Sequence, residues 1–304
     1  MRTVLLAVHA AREEAAKVAA AFATEMRAAG IGVCVLDTEA DALRSAGVED
    51  AQVVPAGPGA AGGCELAVVF GGDGTILRAA EMCRGTETPV LGVNLGHVGF
   101  LAEADVEDLQ DVVRGVVDRT YTVEERLTVD VTVMVAGEVV ATNWALNEAS
   151  VEKAARERML EIVVEIDDRP VSRWGCDGIV CATPTGSTAY NFSAGGPIVW
   201  PEVSALIMVP ISAHALFARP LVVSPDSTLA IEVVGEQSTG VLWCDGRRAA
   251  DLPLGARVEV RKGRETVRLA RLQAASFADR LVRKFDLPVA GWRGAAERRR
   301  EGSG

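Results

Sequence analysis

The stretch Phe70-Gly71-Gly72-Asp73-Gly74-Thr75-Ile76-Leu77-Arg78 sets three glycines around one carboxylate. The apolar run Leu66 to Val69 before it is too short for a helix and suits a buried parallel strand. A helical pattern follows from Thr75 to Met82, so the glycines fall at a strand-to-helix turn. Glycine lets a ligand approach the backbone where a Cβ would block it. Free amides at such a turn, with the helix N-terminus behind them, favour phosphate. A carboxylate opposes bare phosphate, which leaves Asp73 a metal, a hydroxyl or a proton to handle. The structural alternative is plain: Asp-Gly is a turn former, and Asp or Thr before a helix is a cap. Arg78, one turn into the helix, reads as a phosphate partner or as a solvated arginine.

A second stretch about a hundred residues on, Asp177 to Tyr190, reads Asp-Gly-Ile-Val-Cys-Ala-Thr-Pro-Thr-Gly-Ser-Thr-Ala-Tyr. It runs on through Asn191, Phe192 and Ser193, so the segment from Thr188 to Ser193 carries small hydroxyls and aromatic faces on which a base can stack. Asn147 and Glu148 pair an amide with a carboxylate, suited to an adenine edge and ribose hydroxyls. Other phosphate and hydrolase signatures are missing. The only lysines, Lys17, Lys153, Lys262 and Lys284, make no G-x-x-x-x-G-K-[ST] run, and there is no G-x-G-x-x-G, G-x-S-x-G or H-E-x-x-H. Phosphate handling falls to backbone amides and arginines.

These residues need elements to position them. Val4 to Val8 reads as a strand, Ala11 to Ala29 as a helix, and Ile31 to Leu36 as a strand, the order of a parallel sheet with right-handed crossovers. Asp41 to Val48 suits a short helix and Pro55 to Gly63 a loop. Pro89 to Val93 is another buried strand, and it ends in Asn94-Leu95-Gly96-His97-Val98-Gly99-Phe100-Leu101. Two glycine-bearing strand ends thus meet at one crevice, where open α/β sheets bind ligands. Val106 to Arg119 closes this region as an amphipathic helix. From Val129 the period changes to two, with a hairpin turn expected at Gly137-Glu138 and short strands continuing to Leu269. Ser276 to Phe285 returns to helix, with Phe277, Leu281 and Phe285 on one face to be buried against the first domain.

The expected fold is therefore an α/β N-terminal domain with a parallel sheet, plus a β-rich sandwich-like C-terminal domain. The boundaries expected are 1–120 plus 275–292 for the first, 121–274 for the second, and a disordered tail over 293–304. With 31 basic against 42 acidic residues in 304, a net charge of −11 argues against nucleic acid or an anionic membrane as partner. No apolar run reaches the roughly 20 residues that span a bilayer. The six cysteines contain no CxxC pair, which reads as free thiols in a reducing cytoplasm rather than a metal site.

Gly71–Thr75, Asn94–Leu101, Asn147-Glu148, Glu157-Arg158, Asp177–Tyr190, Ser193–Pro197 and Cys244-Asp245-Gly246 stand in an order that resembles the NAD kinase family over roughly residues 1 to 290. The Thr183–Tyr190 stretch is the specific part; the first motif is shared with lipid kinases. The resemblance implies phosphoryl transfer from ATP to the 2′-hydroxyl of the adenosine ribose of NAD, giving NADP. Thr75, where other members carry Asn, resembles members that also accept inorganic polyphosphate. It implies Asp73 as the essential carboxylate, as proton acceptor or as holder of Mg²⁺ on the donor. It further implies Gly74, Arg78, Asn147, Glu148, Arg158, Asp177, Thr188, Ala189, Tyr190, Asn191, Phe192 and Ser193 as ligand contacts, and a homo-oligomer, dimer or tetramer. Competing readings are a lipid kinase, which would want an acyl-binding or basic face, and a nucleotide sensor without turnover.

Overall fold

A computed structural model describes the chain except for residues 1, 10–11, 96–98, 103, 106–108, 156–157, 236–238, 273–275 and 290–304, with backbone alone at 104–105. Gly96-His97-Val98, Glu157, the start of the helix expected from Val106 and the tail expected over 293–304 lie outside the described residues. The chain forms two compact units, 1–124 with 268–304, and 125–267.

The first unit begins with β1 (Thr3–Val8), α1 (Glu13–Ala28), β2 (Gly32–Leu36), α2 (Ala40–Ser45) and β3 (Gln52–Val54). It continues through β4 (Leu66–Phe70), α3 (Asp73–Cys83), β5 (Val90–Asn94), β6 (Ala104–Asp105), α4 (Leu109–Asp118) and β7 (Thr122–Arg126). The sheet order is β3-β2-β1-β4-β5-β20-β7, with β6 beside β5, where β20 (Val267–Arg271) arrives from the end of the chain. Strands β1 to β5 pair in parallel. Every residue of β4 is buried, as its unbroken apolar run requires of a central strand covered on both faces. The chain steps from β1 outward to β3, then crosses back to β4 and proceeds the other way to β5. The order therefore reverses between β1 and β4, and the glycine turn ends β4 at that switch point. Right-handed crossovers place α1 and α3 on opposite faces. Phe22 of α1 packs on Phe70, with ring centroids 5.5 Å apart.

The return to the first unit begins earlier than expected. It starts at Arg268, not at 275, because β20 joins β5 in parallel through Leu269 and Val90 instead of extending the β-rich unit. Helix α6 (Phe277–Phe285) follows, with Ser276 capping it through the Asp279 amide at 3.1 Å. Phe277 and Phe285 both lie against Phe100.

The second unit is antiparallel throughout. Its strands are β8 (Val129–Val135), β9 (Glu138–Ala145), β10 (Glu148–Lys153), β11 (Leu160–Ile166), β12 (Arg169–Cys176) and β13 (Gly178–Ala182), then, after α5 (Tyr190–Ser193), β14 (Leu206–Ile211), β15 (Leu221–Val223), β16 (Leu229–Val233), β17 (Gly240–Cys244), β18 (Arg248–Leu252) and β19 (Arg257–Lys262). One six-stranded sheet runs β15-β14-β13-β10-β17-β18 and the other β12-β11-β16-β19-β8-β9. Alternate residues from both, among them Val131, Ile162, Ile179, Ile231, Leu242 and Val258, share one core. The β8–β9 turn is Ala136-Gly137, both at positive φ, with Glu138 already paired to Val135. The expected turn was one residue late, because a two-residue hairpin loop of this kind takes positive φ at both central positions.

Candidate functional site

Helix α3 starts at Asp73, so the carboxylate sits in its first turn, where the helix dipole favours negative charge. Asp73 is half-buried, and Oδ2 accepts the Phe100 amide at 3.0 Å while Oδ1 accepts the Leu101 amide at 3.1 Å. A carboxylate offers about four acceptor positions, so among the described residues each oxygen keeps one for a further donor. The loop after β5 thus turns its amides onto the carboxylate after β4. Gly99 permits the approach: a Cβ there would collide with the Asp73 carboxylate. Gly74 is different. It is exposed, its φ is not positive, and a Cβ would meet nothing within 4 Å. Packing gives no reason for glycine at this position.

Arg78 turns away from this carboxylate, since five residues on an α-helix separate two side chains by about 140° around the axis. Its Nη2 donates to the Val8 carbonyl at 2.7 Å and pairs with Glu39, whose side chain is fully buried. Glu39 also accepts the Val8 amide at 2.8 Å. Burial pushes the Glu39 carboxyl up, and Arg78 opposes that shift. The expected phosphate arginine is committed to a buried carboxylate at the end of β1.

In the second unit, Asn147 and Glu148 lead into β10, beside the segment that follows β13. The Thr183 amide donates to the Asn147 carbonyl at 2.9 Å, and the Thr183 hydroxyl to the Leu146 carbonyl at 2.6 Å. Gly186 lies flat on the Asn147 carbonyl, where any Cβ would overlap it. The Tyr190 backbone N–H faces the Glu148 carboxylate closely enough to oppose the rise in its pKa. Glu148 Oε2 is buried and has no hydrogen-bond partner among the described residues. Burial, and then the neighbouring Asp245 charge, push the Glu148 carboxyl up to about 8. An orphaned, buried, protonatable oxygen marks a place where a ligand hydroxyl can bind.

The Thr188–Ser193 segment is divided in its orientation. Tyr190 packs on the Val180, Ala182, Ile207 and Val209 patch of the sheet. Asn191 is fully buried and stitches its segment together, its Nδ2 donating to the Ser187 carbonyl at 3.1 Å and the Pro197 carbonyl at 3.0 Å. Phe192 is exposed. Asp177 enters β13 on a 2.6 Å bridge from Lys153, which holds its carboxyl below the usual range. Burial first, and then the nearby Glu152, Glu148 and Asp177 carboxylates, push the Tyr190 phenol up. Arg158 is exposed in the connection before β11.

Asp245 stands in the Cys244-Asp245-Gly246 motif, whose sequence alone assigns it no contact. It accepts the amides of Leu146 at 3.0 Å, Asn147 at 2.7 Å and Glu148 at 3.4 Å, and pairs with Arg248 at 2.9 Å. Arg248 in turn stacks over Trp144, 4.6 Å from the ring centroid. Asp245 stands at φ 54°, a left-handed turn position that Asp tolerates. The Asp-Gly pair at the end of an apolar strand was the available signal, but nothing local said which amides it would hold.

The pattern of the ATP-NAD kinase N-terminal domain matches residues 4–121, and that of the ATP-NAD kinase C-terminal domain matches residues 146–272. An NAD kinase of Thermobifida fusca is 58% identical over 99% of this chain and 94% of its own length. NAD kinase 2 of Streptomyces coelicolor is 62% identical over 97% and 98%. The crystal structure of yeast NADH kinase complexed with NADH superposes with a TM-score of 0.82 at 24% identity, over 96% of this chain and 88% of that one, a likeness of fold. With both of its domains matched and relatives this close along nearly its whole length, this chain belongs to the ATP-NAD kinase family.

Proposed function

We propose that Asp73 is the reactive carboxylate of this NAD kinase, and that each unit carries its own share of the chemistry. The enzyme is a phosphotransferase: the 2′-oxygen of the adenosine ribose attacks the terminal phosphorus of ATP, the bond to the leaving ADP oxygen breaks, and the hydroxyl proton must go to a base. Among the described residues Asp73 keeps an acceptor position on each oxygen, and it sits at the sheet's switch point, where open α/β sheets bind ligands; this carries the proposal. Gly74 leaves the first turn of α3 bare for the donor phosphates. For NAD, Asn147 reads the adenine edge and Glu148 the ribose hydroxyls, with Thr188, Ala189, Tyr190 and Ser193 lining the base and Phe192 offering an exposed ring. Asp177 adds a polar contact from the start of β13. Arg158 keeps its proposed phosphate or ribose contact from the exposed loop. Arg78 acts by holding Glu39 and the end of β1, one strand from the glycine turn.

No three His, Cys, Asp or Glu among the described residues form a metal cage. A divalent cation such as Mg²⁺ would ride on the donor's phosphates, with Asp73 the carboxylate of the glycine turn that could hold it there. When bound, such a cation neutralises charge on the phosphates. Inorganic polyphosphate as a second donor rests on Thr75, which is buried. A dimer or tetramer in the cytoplasm completes the proposal; all six cysteines are free thiols, as a reducing compartment requires.

The test is Asp73→Asn. It keeps the shape and removes the base, so kcat should fall by about 10²- to 10⁴-fold while the Kd for NAD stays within a few-fold. Turnover within about tenfold of the unaltered enzyme would remove Asp73 from the chemistry.

A further inference from the structure

We infer that the C-terminal helix positions Asp73: Arg280 holds, from behind, the peptide whose N–H holds the carboxylate, and Arg271 at the end of β20 holds the next peptide of the same loop. The inference rests on the reading of Asp73 as the reactive group. The Phe100 carbonyl and the Leu101 N–H belong to one peptide. Arg280 Nη1 donates to that carbonyl at 3.3 Å, and the N–H donates to Asp73 Oδ1 at 3.1 Å. One residue on, Arg271 Nη1 donates to the Leu101 carbonyl at 3.2 Å. Arg271 is almost fully buried and is fixed in turn by Glu124 at 3.0 Å. A cation on the oxygen of a peptide polarises its N–H, so the bond to the carboxylate gains strength along the chain.

The aromatic contacts fix the same loop. Phe100 has its ring centroid 5.9 Å from that of Phe277 and 5.8 Å from that of Phe285, residues two turns apart on one face of α6. The helix thus grips residue 100 by ring and by carbonyl, and residue 100 grips Asp73 by its amide. Arg280 and Arg271 touch neither substrate nor reacting atoms, and they act as positioning residues. This assigns a task to a helix that the chain brings back across the whole second unit.

Arg280→Met removes the donor and keeps the length of the side chain; Arg280→Lys keeps a cation. In the full-length protein, kcat for NADP⁺ formation should fall by about five- to twentyfold in R280M, with KM for NAD within about twofold. R280K should recover most of that loss. Phe277→Leu, which keeps the helix apolar but loosens the seat of Phe100, should move kcat in the same direction without moving KM. Exchange of the Leu101 amide should be faster in R280M than in the unaltered chain. A wild-type kcat in R280M, a lysine variant as slow as the methionine one, or a loss falling equally on KM would overturn the inference. Absence of NADP⁺ from the unaltered chain would instead fail the kinase reading of Asp73, and the exchange rate at Leu101 would still decide whether the relay exists.

Discussion

Glu148 keeps its proton in the folded chain to about pH 8, whereas an exposed glutamate loses it near 4.5. Between these values the folded state binds the extra proton, so stability falls as pH rises through that window, by on the order of a few kcal/mol. Glu148→Gln cannot ionise and should escape the loss. Its unfolding temperature should match the unaltered chain near pH 5 and exceed it increasingly toward pH 8; parallel profiles would show that Glu148 ionises freely. Gly74 makes the opposite kind of case. Gly74→Ala should stabilise α3 by about 0.5–1 kcal/mol, since alanine suits a helix and meets no neighbour there. It should also raise KM for ATP severalfold by narrowing the approach to the amides. At this scale the sequence revealed residue types but not their engagements. The candidacy of Asp73, Asn147 and Glu148 was visible in local grouping and family resemblance. The commitment of Arg78 to Glu39 was not, because it joins positions 39 residues apart through a sheet edge.

Elements decide which of these side chains are held and which are free. The turn after β17 carries Asp245, and through three amides it fixes the entry to β10 where Asn147 and Glu148 stand. Asp245→Ala should cost about 3 kcal/mol of unfolding free energy by leaving those buried amides unpaired, and should raise KM for NAD by tenfold or more. A variant that loses stability with KM unchanged would show that the bracket serves folding alone. The periods of 3.6 and 2 made nearly every long element readable, including the sharp change at Val129. The strands not named from the sequence are β10, β12, β13 and β18 in the second unit and β3, β6 and β7 in the first: β3 and β6 are too short to carry a period, and β7 is exposed over most of its length, without an apolar face. β20 was read as a strand but assigned to the wrong unit, since five apolar-rich residues do not encode the sheet they will join.

At the scale of the whole molecule, the doubly wound sheet supplies a switch point, and the antiparallel unit by itself supplies a buried, protonatable carboxyl at Glu148. Two-domain organisation was legible because hydrophobic periodicity changes once and changes back. The exact point of return was not, because it depends on long-range strand pairing. The most direct measurement is NADP⁺ formation by the purified full-length chain, read through an NADP-specific dehydrogenase. NAD and Mg²⁺ would be supplied with ATP in one reaction and with inorganic polyphosphate in another. The account predicts steady NADP⁺ formation with ATP, abolished to within background in Asp73→Asn, and product with polyphosphate if Thr75 marks the wider donor range. Folded protein that binds NAD yet forms no NADP⁺ with either donor would contradict it and leave a nucleotide sensor in its place.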